Sequence, residues 1–131
     1  MHTILKAAHD AQDAYIDTLK QLVTIETPSR DREAAAGFIK QVQALLEADG
    51  WQVRTTSQTA VGDHIIATQD ASGATSTLIL AHYDTVWAVG TLGQMPFKQE
   101  DGKVYGPGTL DMKAGITTAI HAVKLLADLG K

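Results

Sequence analysis

The chain has 131 residues, of which 44% are hydrophobic and 20% charged, with 11 basic against 15 acidic side chains. This is the composition of one globular domain, and a net charge of −4 without clustered Lys or Arg argues against binding a nucleic-acid backbone or an anionic membrane surface. No apolar run approaches the roughly 18 to 20 residues that span a bilayer, and Met1-His2-Thr3-Ile4 opens without a secretory pattern, so a cytoplasmic location is expected. With no cysteine in the sequence, disulfides and thiolate chemistry are excluded, and any metal must be held by His, Asp and Glu.

In chain order, Tyr15, Ile16, Leu19, Leu22 and Val23 recur as one face of a helix that stops at Thr27-Pro28. A second helix is predicted with Ser29 or Asp31 as its N-cap. Its stripe is Ala35, Phe38, Ile39, Val42, Leu45 and Leu46, and Asp49-Gly50 ends it. Trp51 to Thr55 and His64 to Thr68 read as strands, and Ala71 to Ala74 as a turn. Thr77 to Ala81 is a continuous apolar run, as expected of a strand covered on both faces, and it leads into His82-Tyr83-Asp84. From Trp87 to Pro107 glycine and proline break any long element, leaving a short hairpin near Phe97 to Tyr105. A last helix is predicted from about Met112 to Leu129, with Ile116, Ala119, Ile120, Val123 and Leu126 inward and Gly130 as its C-terminal stop. No repeat or linker interrupts this order, and a single layered α/β domain accounts for it.

Two constellations could carry chemistry. His82 and Asp84, two apart on an extended segment, leave the same face, and a carboxylate beside an imidazole can fix the tautomer a metal needs. The competing reading is a strand-end histidine with an aspartate capping the following turn. The second constellation is Gly106-Pro107-Gly108-Thr109-Leu110-Asp111-Met112-Lys113, a loop feeding a helix with an acid at the junction. A phosphate cradle fits poorly, because Asp111 stands where a third glycine is needed and would repel an anion. Asp111 could instead bridge two divalent metals or serve as a helix N-cap, and Lys113 reads as a solvated charge at a helix start. His64, His121, His2 and His9 read as surface or core-flanking residues, and Trp51 and Trp87 as packing residues, with Trp87 close enough to His82 to line a cleft.

Taken together, L-I-L-A-H-Y-D-T-V, then P-F, then Y-G-P-G-T-L-D-M-K-A-G resembles the M20 metallopeptidase family, and within it the glutamate carboxypeptidases. The resemblance runs from Thr27-Pro28-Ser29 to the terminal helix. It implies a zinc-exopeptidase-like (phosphorylase/hydrolase-like) three-layer α/β domain, incomplete at its C-terminus, with residues 1–131 as the N-terminal part of the catalytic domain and the lid or dimerisation domain absent. It also implies His82 and Asp111 as metal ligands and Asp84 as the active-site aspartate. The implied cofactor is zinc, two ions in the complete site, with cobalt or manganese as alternatives. The implied reaction is hydrolysis of an amide bond next to a free carboxylate in a small peptide or N-acyl amino acid, and a homodimer is implied for the full-length protein. The family's Glu-Glu pair, which supplies the general base and a further ligand, has no counterpart among Glu26, Glu33, Glu47 and Glu100. The chain alone is therefore expected to be inactive. The alternative is a non-catalytic module that binds a partner through an open sheet edge.

Overall fold

The computed structural model describes residues 2–69 and 77–130. Among the described residues there are four α-helices: α1 (His2–Asp10), α2 (Gln12–Val23), α3 (Arg32–Ala48) and α4 (Ala114–Asp128). Asp31 is the N-cap of α3, its carboxylate accepting the Ala34 N–H at 2.9 Å, which satisfies one of the free amides that open a helix. α2 ends at Val23, four residues before the predicted stop, and Ile25 to Ser29 run on as a connecting segment. α1 was not foreseen from the sequence; it packs on α2 and α4 with much of Leu5 exposed.

The strands β1 (Gln52–Thr56) and β2 (His64–Thr68) pair antiparallel, from Gln52 opposite Thr68 to Thr56 opposite His64. The hairpin β3 (Lys98–Glu100) and β4 (Lys103–Tyr105) forms a second two-stranded sheet. Leu22, Phe38, Val42 and Leu46 form the core, with Ile25, Trp51, Ile65 and Ile120 among the residues packed against it. That cluster explains the α3 stripe: residues three and four apart share one face, and burying such a face stabilises a helix more than its intrinsic propensity does. Tyr83 joins the cluster, its ring stacked on Phe38 at 5.0 Å.

The helices and small sheets give an α/β arrangement, but Thr77 to Ala81 departs from expectation. It belongs to no ladder, and Leu78 and Leu80 are each 85% exposed, so the predicted strand covered on both faces is not formed. Apolar patterning sets which residues prefer burial, whereas a strand needs a hydrogen-bonded neighbour, and among the described residues none lies alongside. An open groove of about 660 Å³ lies beside this segment, bordered by Phe38, Trp51, Ile65, Leu80 and Ile120. The predicted turn at Ala71 to Ala74 lies outside the described residues.

Candidate metal centre

The segment that carries His82 keeps strand alternation even without a ladder. Tyr83 and Thr85 turn inward: the Tyr83 hydroxyl donates to the Asp63 carbonyl at 2.9 Å, and Thr85 is buried. Gly62 permits this approach, because a Cβ there would collide with the Tyr83 hydroxyl. His82 and Asp84 turn the other way, each close to half exposed. The segment is pinned by the stretch after α2. The Thr85 N–H donates to the Thr27 carbonyl at 2.7 Å, the Ser29 N–H to the Thr85 carbonyl at 3.1 Å, and the buried Thr27 hydroxyl to the Tyr83 carbonyl at 2.7 Å.

Asp111 stands on a wide turn, Thr109–Lys113, in which the Lys113 N–H reaches back to the Gly108 carbonyl at 3.0 Å. Gly108 makes this turn possible. Its φ is +72°, and a Cβ there would lie 2.5 Å from Thr85 Cγ2, so both the backbone conformation and the close approach require glycine. The Asp111–Met112 peptide bond is cis. The N-cap position of α4 falls on Lys113, so Asp111 is not a helix cap. Its side chain is 81% exposed and projects towards His82.

These two segments meet at the imidazole. His82 Nε2 is 3.0 Å from Asp111 Oδ1, while Nδ1 is 3.2 Å from the Asp84 carbonyl oxygen and 3.4 Å from Asp84 Oδ1. Partial burial pulls the His82 pKa down, but the Asp84 carbonyl and the Asp111 carboxylate outweigh it, and the pKa is raised above its ordinary value. The donor set is informative in itself. Both nitrogens face acceptors, yet a neutral imidazole carries one N–H, so the gap between Nε2 and the Asp111 carboxylate calls for a proton or a cation. In the tautomer with the proton on Nδ1, facing the Asp84 carbonyl, the Nε2 lone pair and the Asp111 carboxylate are of the types that bind zinc. Among the described residues no group of three or more His, Cys, Asp or Glu is arranged to hold a metal ion.

Of the other candidates, His64 is exposed at the start of β2, and His121 is half-buried against α2, its Nε2 2.9 Å from Thr18 Oγ1. Trp51 packs against the core, as expected, and Trp87 is 43% exposed. Glu26, set aside as a base, has a local structural role: its carboxylate accepts the N–H groups of Gly90 at 2.7 Å and Leu92 at 2.8 Å, and these bonds hold its pKa below the ordinary value. Lys113 overturns its reading as a solvated charge. It is 1% exposed, and its ammonium donates to the Ile25 carbonyl at 2.6 Å and lies 5.2 Å from the Phe38 ring centre. Burial pulls its pKa down to about 8, against an opposing pull from Glu26. A signal for this was present, because residues 113, 116, 117 and 120 share one helix face, and that stripe extends back onto Lys113.

Comparison with known proteins shows the family. The profile of Peptidase family M20/M25/M40 matches residues 78–131, the stretch that contains His82, Asp84 and Asp111. Carboxypeptidase G2 of Pseudomonas sp. (strain RS-16) is 39% identical over 98% of this chain and 32% of its own length. Succinyl-diaminopimelate desuccinylase of Corynebacterium glutamicum is 29% identical over 97% of this chain and 32% of its own. A Peptidase M20 domain-containing protein of Schizosaccharomyces pombe is 29% identical over 92% of this chain and 29% of its own. The chain belongs to the M20 peptidase family. It spans about a third of the length of these curated relatives. No helix among the described residues is long and apolar enough to cross a membrane.

Proposed function

We propose that the chain supplies one side of a metal-dependent hydrolase site of the M20 type, within a zinc-exopeptidase-like three-layer α/β domain of which residues 1–131 form the N-terminal part. The observation that supports this reading best is the 3.0 Å approach of Asp111 Oδ1 to His82 Nε2, with Nδ1 of the same ring held by Asp84. In this reading His82 and Asp111 are the metal ligands. Asp84 is the active-site aspartate, fixing the imidazole tautomer so that Nε2 presents its lone pair. Asp111, with one oxygen towards His82, has a second oxygen free to bridge towards another ion. Zinc, two ions in the complete site, would polarise a scissile carbonyl and lower the pKa of water there; cobalt or manganese are alternatives on the same donors.

The substrate class is a small peptide or N-acyl amino acid cleaved at an amide next to a free carboxylate, in keeping with the carboxypeptidase and desuccinylase names of the relatives. Glu26 is engaged with Gly90 and Leu92, and Glu100 lies on β3, so no glutamate beside His82 stands ready to take a proton from water. For that reason the isolated chain is inactive. The test is turnover of acyl-glutamate and dipeptide substrates by the 131-residue chain with added zinc. No hydrolysis above background is expected, and metal-dependent hydrolysis at enzymatic rates would contradict the assignment of an incomplete site. A second reading, a non-catalytic module that captures a partner strand, is favoured by one observation, the exposed and unladdered run Thr77 to Ala81.

A further inference from the structure

The stretch Ile25 to Ser29 touches both halves of the candidate site. On one side Thr27 and Ser29 hold the His82 segment through four bonds to Tyr83 and Thr85. On the other, the Ile25 carbonyl accepts the Lys113 ammonium at 2.6 Å, two residues beyond Asp111. Lys113 is also tied into the turn itself, its N–H on the Gly108 carbonyl and its carbonyl accepting the Thr117 hydroxyl at 2.8 Å. Glu26, next along the stretch, carries the opposite charge and holds the Gly90 and Leu92 amides of the loop that follows His82. A buried ammonium is costly unless it is bonded, so a lysine held at 1% exposure on a carbonyl oxygen is a fixed strut rather than a tethered surface charge.

We propose that Lys113 is a positioning residue for the metal centre: its ammonium fastens the Asp111 turn to the Ile25–Ser29 stretch and so sets the distance from the Asp111 carboxylate to His82. The proposal rests on the reading of His82 and Asp111 as ligands and adds to it the residue that fixes their spacing. Asp111 is itself 81% exposed, and no other charged side chain among the described residues ties its turn to the stretch that pins His82. Glu26 completes the device by balancing the buried charge and holding the loop beyond His82 against the same stretch. Removing a group hydrogen-bonded to a metal ligand typically costs about 10- to 100-fold in metal affinity, and Lys113, which reaches Asp111 through the turn, is placed at the lower end of that range.

The experiment uses Lys113→Met, Lys113→Arg, Glu26→Gln and, as reference, His82→Ala. Two quantities are followed: zinc affinity by competition with a chromogenic chelator, and the metal-free ¹⁵N resonances of the His82 imidazole. The proposal expects K113M to weaken zinc binding at least about tenfold and to move the Nε2 resonance away from its wild-type position, with K113R recovering part of both. E26Q should shift both in the same direction by less, and it carries the test if K113M fails to fold. Unchanged zinc affinity and unchanged Nε2 resonance in a folded K113M, or in E26Q and K113R where K113M does not fold, overturn it, even if thermal stability falls. Zinc binding that survives H82A sinks instead the reading of the metal centre, while the metal-free resonance still decides the role of Lys113.

Discussion

At the residue scale, the candidate centre depends on side chains that never touch it. Thr27 is fully buried and gives its only side-chain bond to the Tyr83 carbonyl, so Thr27→Val leaves that carbonyl short of a partner inside the protein. A loss of about 1–3 kcal/mol is expected by urea denaturation. Phe38, at the centre of the core and stacked on Tyr83, should cost about 3–5 kcal/mol as Phe38→Ala by the same measurement. Glu26 gives a pH dependence with a definite sign. Its folded pKa lies below the ordinary 4.5, chiefly through the Gly90 and Leu92 amides, so the folded state favours the carboxylate. The stability it contributes is complete above about pH 4.5 and is lost as pH falls through the folded value. E26Q should therefore flatten the acid limb of a stability-against-pH curve and leave its neutral region with a constant offset. His82, Asp84 and Asp111 were singled out in the sequence by spacing and order, and the structure brings both aspartates against the His82 ring. The helix stripe hinted that Lys113 is buried, but only the fold shows that the Ile25 carbonyl reaches its ammonium and that the Gly90 and Leu92 amides reach Glu26.

At the scale of elements, the periodic segments were legible and the cooperative ones were not. Asp31 caps α3, β2 runs from His64 to Thr68, and the hairpin falls within Phe97 to Tyr105, because capping, alternation and turn residues are local properties. Thr77 to Ala81 shows the limit of that reasoning. Its composition is that of a buried strand, yet a strand is defined by its neighbours, and a run of apolar residues does not say where those neighbours come from. The turn bearing Asp111 is another non-local case, because Gly108 is required as much by Thr85, which lies against it, as by its own positive φ. Gly108→Ala should cost about 1–3 kcal/mol from the backbone conformation alone, with the Thr85 contact adding to it, and thermal unfolding would show it.

At the scale of the whole molecule, the chain exposes apolar surface that compact domains ordinarily cover. Leu78 and Leu80 stand beside an open apolar groove, and Val86 and Leu110 are more than nine-tenths exposed near the candidate centre. Concentration-dependent sedimentation should therefore show association, and Leu78→Lys with Leu80→Lys should reduce it; a monomer at every concentration would count against a sticky strand. This openness and the pairing of His82 with Asp111 both bear on the proposal that the chain supplies one side of an M20-type site. The most direct test is calorimetric titration of the 131-residue chain with zinc, alongside H82A and D111N. The account predicts weak binding that is lost in both variants, since His82 Nε2 and the Asp111 carboxylate, 3.0 Å apart, are the donors it proposes. Tight binding unaffected by either substitution would place the metal elsewhere and contradict it.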